Sequence, residues 1–165
     1  MELYLIRHGI AAERGTYSND DERPLVAKGI SKTQQVAAKL QSIGIKFDLI
    51  LSSPLVRAFQ TAEILLQAGL SSNLELFTPL EPGGDIQEWL EWLKRETNKN
   101  SLNKLALVGH QPDLGNWTEM LVWGSIRNQI IVKKAGIVGL ILPDSEEIVG
   151  NSELFLLTSP KWFIG

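Results

Sequence analysis

Residues 3–9, LYLIRHG, decide the fold of this chain, because an apolar run typical of a buried strand ends there in arginine, histidine and glycine. A neutral imidazole can attack phosphorus, and a guanidinium binds phosphate oxygens through two parallel hydrogen bonds. A glycine beside them allows the backbone and a bulky anion to approach closely. Taken alone, the tripeptide is equally compatible with a strand end that carries a satisfied histidine and a surface arginine.

Two further apolar runs end in the same way. The second histidine of the chain, His110, follows the run 105–108 and one glycine, and a helical pattern opens after it. The run 48–51 leads into two serines and a proline, which predicts Ser53 as a helix N-cap and places Arg57 in the first helical turn.

Ligands of parallel α/β sheets bind outside the carboxyl ends of the strands, where the following helices direct their unpaired N–H groups. If the three runs are neighbouring parallel strands, four side chains that are distant in sequence share one crevice. These four are Arg7, His8, Arg57 and His110.

Strand and helix patterns alternate along the chain, which predicts an α/β fold: a three-layer α/β/α sandwich around a mixed, mostly parallel sheet. The length of 165 residues predicts a single domain over residues 1–165. A polar loop over residues 10–28 follows the first strand. Residues 136–142 and 153–158 are apolar runs without room for a crossover helix between them, which predicts a C-terminal antiparallel hairpin.

Three segments in this order resemble the histidine phosphatase superfamily, which has a phosphoglycerate-mutase-like fold. They are the R-H-G opening, SPLVRAFQTA at residues 53–62, and V-G-H at residues 108–110. RPLVAKG at residues 23–29 and EPGGD at residues 81–85 are similar to its short branch, typified by phosphohistidine phosphatases of the SixA type. The resemblance implies the same sandwich, a phosphorylated nucleophile at His8, and a phosphate pocket formed by Arg7, Arg23, Arg57 and His110.

Several of these residues also have simpler interpretations. Arg23 follows three acidic residues and is compatible with a solvated ion pair in the loop. Many members of the superfamily protonate the leaving group with a glutamate, for which Glu81 and Asp85 are the local candidates. Asp85 is compatible with a helix N-cap, and Glu81 with a solvated turn residue.

Composition limits the chemistry. The formal net charge of −3 comes from 16 basic and 19 acidic residues, so no broad basic face is expected for nucleic acid or an anionic membrane. The chain lacks cysteine, and two histidines that face arginines repel a cation, so we expect no metal and no cofactor. The amino terminus lacks the pattern of a secretory signal and no apolar run reaches ~20 residues, which predicts a cytoplasmic protein.

These observations predict a metal-independent phosphatase that hydrolyses phosphohistidine on a protein, such as a histidine-containing phosphotransfer domain. An imidazole is a better leaving group than an alkoxide, so this substrate depends less on a general acid. A phosphatase of small phosphate esters or of other phosphoproteins is the alternative enzyme. A non-catalytic phosphate-binding signalling module is the alternative from another class. The cognate substrate and the oligomeric state stay open.

Overall fold

The computed structural model describes residues 1–99 and 101–165. Four parallel strands and an antiparallel pair form one sheet in the order β3-β2-β4-β1-β5-β6. This arrangement confirms the mixed, mostly parallel sheet and the C-terminal hairpin. The strands are Glu2–Arg7 (β1), Leu49–Ser52 (β2), Leu74–Leu76 (β3), Lys104–Gly109 (β4), Ile137–Ile141 (β5) and Glu153–Thr158 (β6).

Helices cover both faces of the sheet, which confirms the three-layer sandwich. Within the described residues they are Ala27–Ser42 (α1), Val56–Gln67 (α2), Ile86–Thr97 (α3), Asp113–Trp123 (α4) and Pro160–Ile164 (α5). Side chains alternate across a strand, so Leu3 and Leu5 pack on the layer of α3 and α4, while Tyr4 and Ile6 pack on the layer of α1 and α2. Neither face of the central strands reaches water.

Register brings the ends of the three central parallel strands to one edge. Arg7 of β1 is opposite Gly109 of β4, and Ser52 of β2 is opposite Val108 of β4. His8 therefore lies level with His110, and Ser53 lies level with Gly109. Each of the three runs found in the sequence delivers its polar ending to this edge.

Two glycines allow α1 to pack close to the end of β1. A Cβ on Gly29 would lie 2.0 Å from the carbonyl oxygen of Ile10, and a Cβ on Gly9 would lie 2.5 Å from Oγ1 of Thr33. The approach of an anion at Gly9 stays a prediction. The missing side chain of Gly9 makes room for α1.

Two local predictions differ from the structure. α2 begins at Val56, with Leu55 rather than Ser53 at the N-cap position. The Ser53 hydroxyl still accepts the Leu55 N–H at 3.3 Å, as a capping side chain does, and it also bonds to His110. The short α5 has no counterpart in the sequence prediction. Within the described residues, every helix is too short or too polar to span a bilayer.

Candidate active site

His8 follows β1 and is held by its own backbone. Its N–H donates to the Gly109 carbonyl at 3.0 Å, and its side chain is 6% exposed. Nδ1 of the ring lies 2.7 Å from the Gly9 carbonyl oxygen. A carbonyl only accepts hydrogen bonds, so Nδ1 carries the proton and Nε2 of the neutral ring keeps a free lone pair.

The surroundings of His8 keep its ring neutral. The pKa of His8 is lowered to about 3, mainly by burial and also by the charges of His110, Arg57 and Arg7. The hydrogen bond to Gly9 acts in the opposite direction and raises the pKa. A cation here would lose hydration and face other cations. The imidazole is thus available as a nucleophile at neutral pH.

His110 occupies the equivalent position after β4. Its ring centroid lies 5.2 Å from that of His8, and its Nε2 lies 2.8 Å from Oγ of Ser53. Its Nδ1 is buried and has no hydrogen-bond partner among the described residues. Burial, followed by the charges of Arg57 and Arg7, lowers the pKa of His110 to about 3.

Arg7 and Arg57 supply fixed cationic groups to the same place. Nη1 of Arg7 donates to the Val132 carbonyl at 2.9 Å, and Nη1 of Arg57 donates to the Asp20 carbonyl at 2.9 Å. In the described part of the chain, the Nε–H of each arginine is buried without a partner. A bound oxyanion could accept these N–H groups, which is the chemistry that a phosphoryl group requires.

Arg23 joins this group through Asp20. Its Nε donates to one carboxylate oxygen of Asp20 at 3.0 Å, while Nη2 of Arg57 lies 3.3 Å from the other. Nη1 of Arg23 also donates to the Ala12 carbonyl at 2.7 Å, and the side chain is buried. The solvated ion pair is therefore the wrong description of Arg23.

Comparison with known proteins agrees with this geometry. The model of the histidine phosphatase superfamily (branch 1) matches residues 3–79. The chain is 48% identical to an uncharacterized protein of Picosynechococcus sp. over 99% of both sequences. It is 30% identical over 116 residues to the phosphohistidine phosphatase SixA of Escherichia coli K12, which covers 70% of each.

The chain belongs to the histidine phosphatase superfamily. Its fold places it in the short, SixA-like branch, since the structure of the protein histidine phosphatase SixA complexed with tungstate matches 98% of both chains with a TM-score of 0.85 and 26% identity. The fold is also similar to the crystal structure of a putative alpha-ribazole-5'-P phosphatase from Escherichia coli K-12, with a TM-score of 0.72 and 21% identity. The match covers 100% of this chain and 99% of that one.

The two candidate acids of this superfamily member lie in the turn before α3. The Asp85 carboxylate accepts the Gln87 N–H at 2.9 Å, as an N-cap does. Glu81 ends a 3-10 turn, Thr78–Leu80, whose Leu80 carbonyl lies 3.6 Å from where a Cβ on Gly109 would sit. The structure thus brings the backbone of Leu80, which precedes Glu81, close to the end of β4, and gives Asp85 a capping role.

Sequence reasoning did not identify Ser53 and Asp20 as partners of the site. Ser53 had a signal, since it stands at the end of β2, but its interpretation as a cap hid the contact with His110. Asp20 lies in an acidic run that resembles a solvated surface. Only the folded loop brings its carboxylate to Arg23 and Arg57.

Two negative observations complete the description of the site. Residues 1–99 and 101–165 contain no group of three or more His, Cys, Asp or Glu side chains placed to hold a metal ion. A cavity of about 900 Å³ lies at the opposite edge of the sheet, with Met1, Leu93 and Leu142 in its wall. None of the predicted site residues lines that cavity.

Proposed function

We propose that this protein hydrolyses phosphohistidine on another protein through a covalent phosphohistidine on His8. The observation that carries the proposal is the Nδ1 bond of His8 to the Gly9 carbonyl at 2.7 Å, which leaves Nε2 unprotonated in the field of the cationic Arg7 and Arg57. A nucleophile with a free lone pair next to fixed N–H donors is the arrangement that two-step phosphoryl transfer needs.

The first step forms a bond from Nε2 of His8 to phosphorus and breaks the bond from phosphorus to the substrate imidazole. The substrate ring carries a proton on its distal nitrogen and therefore departs as a neutral imidazole. In the second step, water attacks phosphorus, the bond to His8 breaks, and the proton of the water passes to the product phosphate. Arg7 and Arg57 neutralise the charge on the equatorial oxygens in both steps.

Two observations support the binding role of the cations. The buried Nε–H groups of Arg7 and Arg57 have no partner within the described residues. The related SixA structure is a complex with tungstate, which is a tetrahedral oxyanion like phosphate. We assign Arg23 to the same pocket, where Asp20 links it to Arg57.

The choice of phosphohistidine over an ester rests on the leaving group and on the relatives. Asp85 already caps α3, and the described structure gives the Glu81 carboxylate no hydrogen bond that would hold it as an acid. A departing imidazole needs less protonation than an alkoxide. The Escherichia coli relative that covers 70% of this chain is a phosphohistidine phosphatase.

A phosphate-ester phosphatase is the second candidate. The chain is 33% identical over 133 residues to a probable phosphoglycerate mutase, GpmB, of Escherichia coli, although it covers only 54% of that protein. An enzyme of this kind would hydrolyse alkyl phosphates fast and would depend on Glu81 or Asp85.

The test compares a phosphohistidine peptide with phosphomonoesters in the native protein and in His8→Ala, Glu81→Gln and Asp85→Asn. We expect fast hydrolysis of the peptide, no turnover by His8→Ala, and less than a threefold effect of either amide variant. Rapid quenching of the native protein should trap acid-labile phosphate on His8, and chelators should leave the rate unchanged.

Three outcomes would count against this proposal. Substantial turnover by His8→Ala would exclude the covalent route. Fast ester hydrolysis that falls ~10²-fold in one amide variant would favour the ester enzyme. Phosphate binding without any turnover would favour a signalling module.

We further propose that residues 1–165 act as one domain, without a metal, in the cytoplasm.

A further inference from the structure

The connection between α4 and β5 borders the site and is held rigidly. We define this α4–β5 segment as residues 124–134. The carboxylate of Glu119, which is fully buried, accepts the backbone N–H groups of four consecutive residues, 127–130, at distances that include 2.5 and 2.8 Å. The Gln111 amide binds the Ile130 carbonyl at 2.9 Å and the Val132 N–H at 3.2 Å.

The segment forms part of the wall beside the nucleophile. Its Val132 carbonyl accepts the Nη1 hydrogen bond of Arg7 at 2.9 Å. Val132 is buried, whereas both of its neighbours along the chain are exposed. The outer surface of the segment therefore continues from the phosphate pocket to solvent.

The exposed side chains of the segment include cations and large apolar groups. Arg127, Lys133 and Lys134 are exposed, the segment contains no acidic residue, and none of the three cations forms an ion pair with another described residue. Ile126 is 50% and Ile131 61% exposed. A local charge of +3 on a chain with a net charge of −3 is a localised field beside the site.

The 3-10 turn that contacts Arg57 has the reverse charge. Asp21 and Glu22 are exposed on the 3-10 turn Asp20–Glu22, whose carboxylate at Asp20 binds Arg57. Asp21 and Glu22 repel an acidic partner at this turn, where Arg14 of the same loop is the nearby exposed cation, whereas the α4–β5 segment exposes cations without acidic residues. The charge distribution thus selects one orientation of a docked protein.

We propose that the α4–β5 segment docks an acidic surface with an apolar centre on the phosphoprotein substrate, beside the phosphorylated histidine. This proposal rests on the proposed function. Charge complementarity identifies the partner chemistry, because the segment exposes three cations without ion pairs, one of them stacked 4.8 Å from the Trp123 ring, together with two isoleucines. The hydrogen bonds from Glu119 and Gln111 hold the segment in place before the partner arrives, so docking costs little ordering entropy.

The experiment measures kcat/KM for two phosphohistidine peptides that differ only in acidic or lysine residues beside the phosphorylated histidine. Phosphoramidate serves as a small substrate that cannot reach the segment. The test variant is Lys133→Glu/Lys134→Glu. The control is Lys39→Glu/Lys46→Glu, which makes the same charge change at exposed positions near the other edge of the sheet.

We expect the test variant to lower kcat/KM about tenfold for the acidic peptide, since each reversed pair contributes a fraction of a kcal/mol. Its rate with phosphoramidate should stay within twofold, and the control should leave all three substrates within twofold. Ile131→Ser should raise the KM of an acidic peptide with a neighbouring leucine about threefold. The effect of the lysines should weaken at high salt.

Each remaining result overturns the proposal. Equal changes for both peptides, or no change for either, would show that the segment does not recognise acidic partners. A native protein that hydrolyses neither peptide would refute the proposed function and the docking with it. A lower sedimentation mass of Ile131→Ser than of the native protein would assign the surface to self-association. Vesicles of phosphatidylglycerol that bind the native protein but not Lys133→Glu/Lys134→Glu would assign it to lipid binding.

Discussion

Replacing Glu119 with glutamine tests how the wall of the site is built. Each carboxylate oxygen accepts two backbone N–H groups, Oε2 from Arg127 and Asn128, and Oε1 from Gln129 and Ile130. A glutamine keeps one oxygen and turns an NH₂ group towards the other two donors. Two charge-assisted hydrogen bonds are lost, each contributing about 1.5–3 kcal/mol, so we expect the free energy of unfolding to fall by about 3–6 kcal/mol.

Urea unfolding at pH 7 measures this loss, and Glu91→Gln is the matched control. Glu91 is exposed on α3, and its isosteric change should stay within about 0.5 kcal/mol. Hydrogen exchange of the amides of residues 127–130 should accelerate in Glu119→Gln, and the kcat should fall because Val132 no longer holds Arg7. A loss below about 1 kcal/mol would refute the claim that the carboxylate organises this segment.

The sign of the pH dependence follows from the same contacts. Burial raises the pKa of the Glu119 carboxyl, but the N–H donors of residues 127–130 outweigh it and hold the pKa below its ordinary value of 4.5. The unfolded chain therefore takes up a proton first as the pH falls. The stability difference between the native protein and Glu119→Gln should shrink below about pH 4.5.

Three further predictions concern the strand ends. Ser53→Ala removes the 2.8 Å bond to His110 and should lower kcat/KM about tenfold. Burial lowers the pKa of His8 and of His110 to about 3, so the unfolded chain binds more protons than the folded chain between pH 6.5 and 3. The free energy of unfolding should therefore decrease as the pH decreases through that window. The double variant His8→Asn/His110→Asn should show a shallower decrease. Gly29→Ala places a Cβ 2.0 Å from the Ile10 carbonyl oxygen and should cost about 3 kcal/mol in urea unfolding.

Controls for these predictions lie close in the chain. Ser52→Ala removes an equally buried hydroxyl that bonds to the backbone, and its activity should stay within twofold. Gly15 has a φ of +86°, but no atom lies within 4 Å of a Cβ at this position. Gly15→Ala should therefore lower the free energy of unfolding by only about 1 kcal/mol. Equal kcat/KM in Ser53→Ala and Ser52→Ala would contradict the role of Ser53. An unchanged loss of stability at acidic pH in the double asparagine variant would contradict the role of the histidines. Equal losses of unfolding free energy in Gly29→Ala and Gly15→Ala would contradict the packing argument.

The sequence by itself determined the architecture and the candidate residues of the site. The apolar runs that became β1, β2 and β4 are local patterns, and each ends in a polar residue that can be recognised without the fold. The carboxyl ends of neighbouring parallel strands share one edge, so the meeting of His8 and His110 follows from topology alone. The family pattern added Arg23 to the candidate site, although the acidic residues before it are typical of a solvated surface loop.

Tertiary structure decided which partners these residues have. The sequence predicts only a capping role for the Ser53 hydroxyl, and the packing of β2 beside β4 adds its 2.8 Å contact with His110. The pairing of Asp20 with Arg23 and Arg57 likewise depends on how the loop folds over the strand ends. Hydrogen bonds depend on distances of a few tenths of an ångström between atoms far apart in sequence, whereas hydrophobic periodicity reports only on each segment and its neighbours.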